Sequence, residues 1–183
     1  DPCARLEDIR AVATAHGIPM HLDGARLFNA VVASGVPAAD YARHFETVTF
    51  CLSKGLGAPA GALIATDDPD VMQRLRRFRR MYGGAMRQSG ILAAGGLYAL
   101  EHHITRLRED HANAKRLATR LQQIPAVTID PSLVETNIVF FDVHSRTFSI
   151  PAFVAALKQE GVLINAVGGS TCRAVTHLDV SAE

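Results

Sequence analysis

The chain has little that could cross-link it or hold a metal through sulfur. Its cysteines, Cys3, Cys51 and Cys172, are far apart, odd in number and form no Cys-x-x-Cys pair. A disulfide framework and a zinc knuckle are thereby excluded, and a reducing cytoplasm fits best. Cys51, inside an apolar run, reads as a small buried thiol. Charge of one sign is also lacking: Lys and Arg total 19 against 18 acidic residues, a formal +1. A dedicated nucleic-acid binder carries a clear basic surplus, so no nucleic-acid partner is expected. No apolar run approaches the ~20 residues of a membrane span, and no basic start followed by an apolar core marks a secretory signal. Internal repeats and low-complexity segments are missing too. His102, His103 and His111 lack the His-Glu-x-x-His spacing of a metalloprotease and read as surface or interface residues. His21 with Asp23 has no further ligand to complete a set, so no metal is expected.

What is present is a core. Apolar residues make up 48% of the 183 positions and charged residues 20%, the balance of a folded chain rather than a disordered one. The length suits one large domain, or one domain and part of another. Apolar positions over 6–16 follow helical spacing and stop at Gly17. A short strand is expected over 18–22, running into Asp23, and a helix over 27–33. Strands follow over 47–52 and 62–65. Asp68-Pro69 is a helix start, an N-cap acid followed by proline in the first turn. That helix carries Arg74, Arg76, Arg77, Arg79 and Arg80; without interleaved aromatics they read as a solvated face. Residues 88–123 form one long helical pattern, small and apolar first, charged later, which reads as a bridge between two domains. Beyond it come a strand over 137–142, a helix over 152–160 after Pro151, a strand over 162–165 and a last strand over 172–180. Strands and helices alternate throughout, so the class is α/β with a mainly parallel sheet in the first part.

Two strand ends carry chemistry. Asp23 ends one strand and Gly24 sharpens the turn after it; open parallel sheets bind ligands at such ends. Arg26, about one helical turn further, can face the same crevice, though Asp23 and Arg26 also read as a local surface pair. Lys54 ends the next strand, alone in charge over 47–60, and opens the run KGLGAPAG. Partial burial would lower its pKa and favour the neutral amine that attacks a carbonyl. A lysine that takes an aldehyde and a carboxylate opposite a pyridinium nitrogen are what pyridoxal 5′-phosphate requires. A solvated loop lysine is the alternative. Arg173, in an alternating strand pattern, could hold a carboxylate by a two-point fork.

The segments HLDGARLFNA (21–30), FCLSKGLGAPAGALI (50–64), GGAMRQSGILAAGGLYAL (83–100), TNIVFF (136–141) and RAVTHLDVS (173–181) closely resemble, in this order, the L-threonine aldolases of low specificity. These are pyridoxal-phosphate enzymes of the aspartate-aminotransferase fold. The resemblance implies that Lys54 carries the cofactor, that Asp23 keeps its pyridine nitrogen protonated, and that Arg26 and Arg173 hold the substrate carboxylate, Arg26 close to the cofactor as well. Arg87 would reach the cofactor phosphate or a neighbouring subunit. The implied activity is retro-aldol cleavage of L-threonine or L-allo-threonine to glycine and acetaldehyde in a cytoplasmic homotetramer with sites at the dimer interface. The alternatives are a related lyase acting on another β-hydroxy or β-substituted amino acid, or a non-catalytic piece with a structural or oligomerising role. By the same resemblance, residues 1–100 correspond to the later part of the large cofactor-binding domain, 101–123 to a bridging helix and 124–183 to a truncated small domain. The family's preceding segment holds the phosphate loop and the ring that stacks on the cofactor. The 183 residues alone are therefore expected not to turn over threonine.

Overall fold

The computed structural model describes residues 2–182. They divide into two compact units between Thr105 and Arg106, each described by itself.

The first unit opens with α1 (Pro2–Ala15), after which Gly17 takes a left-handed φ of 62°. Strand β1 is only His21–Asp23, three residues shorter at its start than the sequence pattern led us to expect. Pro19 has no N–H to offer a ladder, and the Met20 N–H donates to the Glu46 carboxylate instead. Helix α2 (Leu27–Ser34) is closed by Gly35, whose N–H returns to the Val31 carbonyl. Helix α3 (Ala38–Ala42) follows Pro37; five residues are too few to show a period in sequence. Then come β2 (Thr47–Cys51), β3 (Ala62–Ala65), α4 (Pro69–Met81) and α5 (Gly90–His102). The side chain of Asp68 caps α4 by accepting the N–H groups of Asp70 and Val71.

These strands form one sheet in the order β1-β2-β3. Strands β1 and β2 are parallel, with His21 opposite Thr47 and Asp23 opposite Thr49. Strands β2 and β3 are antiparallel, so the sheet is mixed and not mainly parallel. Only residues 52–61 join them, fewer than the dozen or so that a crossover to a parallel neighbour needs. Val48 on β2 joins Cys3, Leu27 and Tyr41 in a buried cluster, with Leu22, Val31 and Phe50 packed against it. Phe50 meets Phe28 edge-on at 5.3 Å. Because side chains alternate along a strand, His21, Asp23, Thr47 and Thr49 project from the opposite face.

The long helical pattern over 88–123 is two helices. Helix α5 ends at His102, turns occupy 103–106, and α6 (Leu107–Leu121) begins the second unit. β-Branched Ile104 and Thr105 stand at the break, where crowding against the preceding turn lowers helix propensity. After it come β4 (Val127–Thr128), a 3-10 turn (Pro131–Leu133), β5 (Ile138–Val143), α7 (Ile150–Gln159), β6 (Asn165–Gly168) and β7 (Thr171–Val175). The sheet order is β4-β5-β7-β6, antiparallel throughout. Strand β6 starts later than expected because the Val162 N–H closes α7 by bonding the Leu157 carbonyl. Strand β7 stops at Val175, where its partner β5 begins at Ile138. Ala114 and Ala118 of α6 pack with Val139, Phe141, Val143, Cys172 and Ala174 as the buried core. Fully buried Asp110 is held by Arg106, with Nη2 to Oδ1 at 2.7 Å. The Thr176 hydroxyl bonds the Asp110 carbonyl at 2.6 Å.

Candidate active site

The carboxyl ends of β1 and β2 lie side by side because the pair is parallel. Asp23 closes β1 with an exposed carboxylate that accepts the Ala25 N–H at 3.3 Å. Gly24 continues the pairing one step, donating to the Thr49 carbonyl at 2.8 Å. A Cβ on Gly24 would lie 2.6 Å from that same oxygen and 3.2 Å from Leu27 Cβ. Only glycine lets the chain turn this tightly from strand into α2. Arg26, the N-cap of α2, is half-buried.

The loop over 52–61 leaves the end of β2 and returns to β3. Its base is closed by the Leu52 N–H on the Gly61 carbonyl at 3.0 Å, and Ala58 donates to the Leu52 carbonyl at 3.0 Å. At its tip the Gly57 N–H donates to the Lys54 carbonyl at 2.9 Å, with Gly57 in the left-handed region at φ 69°. Leu52, Leu56 and Ala58 are buried, so the loop is packed rather than draped. Lys54 itself is exposed. The partial burial expected for it does not occur, because the turn directs Gly55 and Leu56 inward and the lysine outward. A small crevice lined by Arg26, Phe28, Phe50, Cys51, Gly55 and Leu56 brings the segment after Asp23 against the segment after Lys54. A larger hollow, of about 620 Å³, lies in the second unit beside His144, Arg146, Ser149 and Ser170. It contains none of the candidate site residues named from the sequence.

Arg173 lies in the second unit on β7, between Phe140 of β5 and Asn165 of β6. Cys172 and Ala174 beside it face the core, so Arg173 projects from the other face of that sheet. Its Nε is buried and makes no hydrogen bond among the described residues. Such an atom is costly unless something accepts from it. Arg87 is exposed in the turns before α5. Cys51 is half-buried rather than buried, while Cys3 and Cys172 are buried; none is in a disulfide among the described residues. His103 was missed as a contributor. It is half-buried, and its Nδ1 lies 2.6 Å from the Leu56 carbonyl in the lysine loop. No periodicity marks that contact, since it joins residues 47 positions apart.

Residues 2–145 match the family described as beta-eliminating lyase. The low specificity L-threonine aldolase of Escherichia coli (strain K12) is 45% identical over 182 residues, which cover 100% of this chain and 52% of that protein. Low-specificity L-threonine aldolase 1 of Arabidopsis thaliana is 36% identical over 176 residues, covering 96% of this chain and 49% of the relative. Among solved structures, one from Exiguobacterium sp. 255-15, described as an aromatic amino acid beta-eliminating lyase/threonine aldolase, matches with a TM-score of 0.78 at 25% identity. It covers 95% of this chain and 50% of its own. The chain thus spans about half the length of the curated relatives it matches.

Proposed function

Because the chain belongs to the beta-eliminating lyase family, we propose that it serves a pyridoxal-phosphate enzyme cleaving β-hydroxy-α-amino acids, L-threonine and L-allo-threonine, to glycine and acetaldehyde. One observation carries the reading. Asp23 and Lys54 stand at the carboxyl ends of neighbouring parallel strands, and a crevice joins the segments that follow them.

The donor set suits the cofactor. Asp23 offers an exposed carboxylate that accepts the Ala25 N–H at 3.3 Å, and a carboxylate has further lone pairs that suit a protonated ring nitrogen. Lys54 has no ion pair among the described residues and is accessible. When bound, pyridoxal 5′-phosphate supplies an electron sink for the pair released when a bond at the amino acid's Cα breaks. The chain's own residues then have distinct tasks. The Asp23 carboxylate accepts a hydrogen bond from the ring N–H and keeps the proton there, so that the sink stays cationic. The Lys54 Nζ carries the cofactor between turnovers. The guanidinium groups of Arg26 and Arg173 are candidates for the substrate carboxylate, and fixing that group selects which Cα bond is broken.

Activity on β-substituted amino acids is the second reading, favoured by the family description and by the lyase named in the Exiguobacterium structure. The test is product release, with cofactor, by these residues joined to the remaining half of their relatives' length. L-Threonine should yield acetaldehyde and glycine in equal amounts. Arg26→Gln should raise KM by about 10–100-fold, the order expected when a charged hydrogen bond of about 1.5–3 kcal/mol is lost. 2-Oxobutyrate and ammonia appearing in place of acetaldehyde and glycine would replace aldol cleavage with β-elimination.

A further inference from the structure

Within the first unit, α5 packs closely against the loop that bears Lys54. The Gly95-Gly96 pair of α5 makes the approach possible. A Cβ on Gly96 would sit 2.8 Å from Leu52 Cδ1, and one on Gly95 would sit 2.9 Å from Pro59 Cδ. With both ends of the loop seated on these glycines, His103 at the C-cap of α5 reaches its middle. His103 Nδ1 lies 2.6 Å from the Leu56 carbonyl. A carbonyl can only accept, so the proton is on Nδ1. The His103 ring is in turn flanked edge-on by Tyr98, at 5.5 Å and 87°.

The Leu56 carbonyl and the Gly57 N–H belong to one rigid peptide plane. Fixing the oxygen therefore aims the N–H, and that N–H is the donor closing the turn on the Lys54 carbonyl at 2.9 Å. Leu56 is 2% exposed, so water is poorly placed to substitute for the imidazole. The chain of constraint runs from His103 through one peptide plane to the backbone of Lys54. Resting on the reading of Lys54 as the cofactor lysine, we propose that His103 is a positioning residue for Lys54, setting the lysine's stem by orienting the Leu56–Gly57 peptide.

The test uses the full chain with His103→Phe, which keeps a ring and removes the donor. It also uses His103→Asn, whose amide nitrogen occupies nearly the place of Nδ1. Amide exchange at Gly57, measured without cofactor, should quicken about tenfold in H103F, the order of one lost hydrogen bond. The amides of β2 should stay protected, which shows that the fold survives. On adding pyridoxal 5′-phosphate, the visible band of protein-bound cofactor should form several-fold more slowly in H103F. H103N should restore both measures to within about threefold of the parent. Unchanged exchange at Gly57 in H103F, unchanged band formation despite faster exchange, or an H103N that behaves like H103F would each overturn the proposal. A band that persists in Lys54→Ala would overturn the reading of Lys54 itself, and the exchange data would separate that failure from one at His103.

Discussion

Replacing Gly24 by alanine places a methyl group 2.6 Å from the Thr49 carbonyl oxygen and 3.2 Å from Leu27 Cβ. The first obstacle is backbone in the sheet, and it already accepts the Gly24 N–H at 2.8 Å. The clash cannot be relieved without stretching that hydrogen bond. Overpacking of this kind costs about 1–3 kcal/mol and the weakened hydrogen bond adds about 1 kcal/mol, so a loss of about 2–4 kcal/mol is expected. For a chain of this size the thermal midpoint would fall by about 4–16 °C. Gly90 is the control. As the first residue of α5 it has no left-handed φ, and an added Cβ meets nothing within 4 Å. Alanine there should stabilise by about 0.4–1 kcal/mol by narrowing the unfolded ensemble. Urea titrations with an unchanged slope would read both effects as shifts in midpoint. Gly24→Ala matching the parent within about 0.5 kcal/mol, or Gly90→Ala being the more damaging change, would refute the close-approach argument.

Arg106→Leu strips the guanidinium from fully buried Asp110 and should cost the second unit about 3–5 kcal/mol in a urea titration, because a buried charge is left uncompensated. Asp68→Ala removes the acceptor for two N–H groups of α4 and should cost about 1 kcal/mol, measured the same way. The hydroxyls of Thr171 and then Ser170 hold the Asp142 carboxyl below the usual carboxylate range. A depressed folded value gives stability that is complete above the unfolded value of about 3.9 and is lost as pH falls through the folded one. Stability measured against pH should therefore drop on acidification, and Thr171→Val should make the drop shallower.

Much of this was legible because the signals are local. Asp68-Pro69 announces α4 through a cap and a ring that need only their neighbours, and β2 alternates as a strand should. The positions of Asp23 and Lys54 at neighbouring strand ends could be read from sequence for a similar reason. Each stands at the end of an apolar run followed by glycine, and the parallel pairing then puts the two ends together. The parts that escaped depend on distant partners. The start of β1 was set by the Glu46 carboxylate taking the Met20 N–H, and the end of β7 by where β5 begins. The orientation of β3 followed from loop length rather than strand composition. The exposure of Lys54 and the grip of His103 on Leu56 arise from how a loop seats on two glycines of α5, which no spacing rule encodes.

The central claim is that Lys54 is the lysine that takes the cofactor's aldehyde. The chain simplifies its test, because its lysines are Lys54, Lys115 and Lys158. The full chain would be mixed with pyridoxal 5′-phosphate, reduced with borohydride and digested, and the modified peptide identified by mass. The account predicts one phosphopyridoxyl group, on the peptide containing SKGLGAP, and its disappearance in Lys54→Ala. Label on Lys115 or Lys158 in place of Lys54, or equal label on all of them, would contradict it.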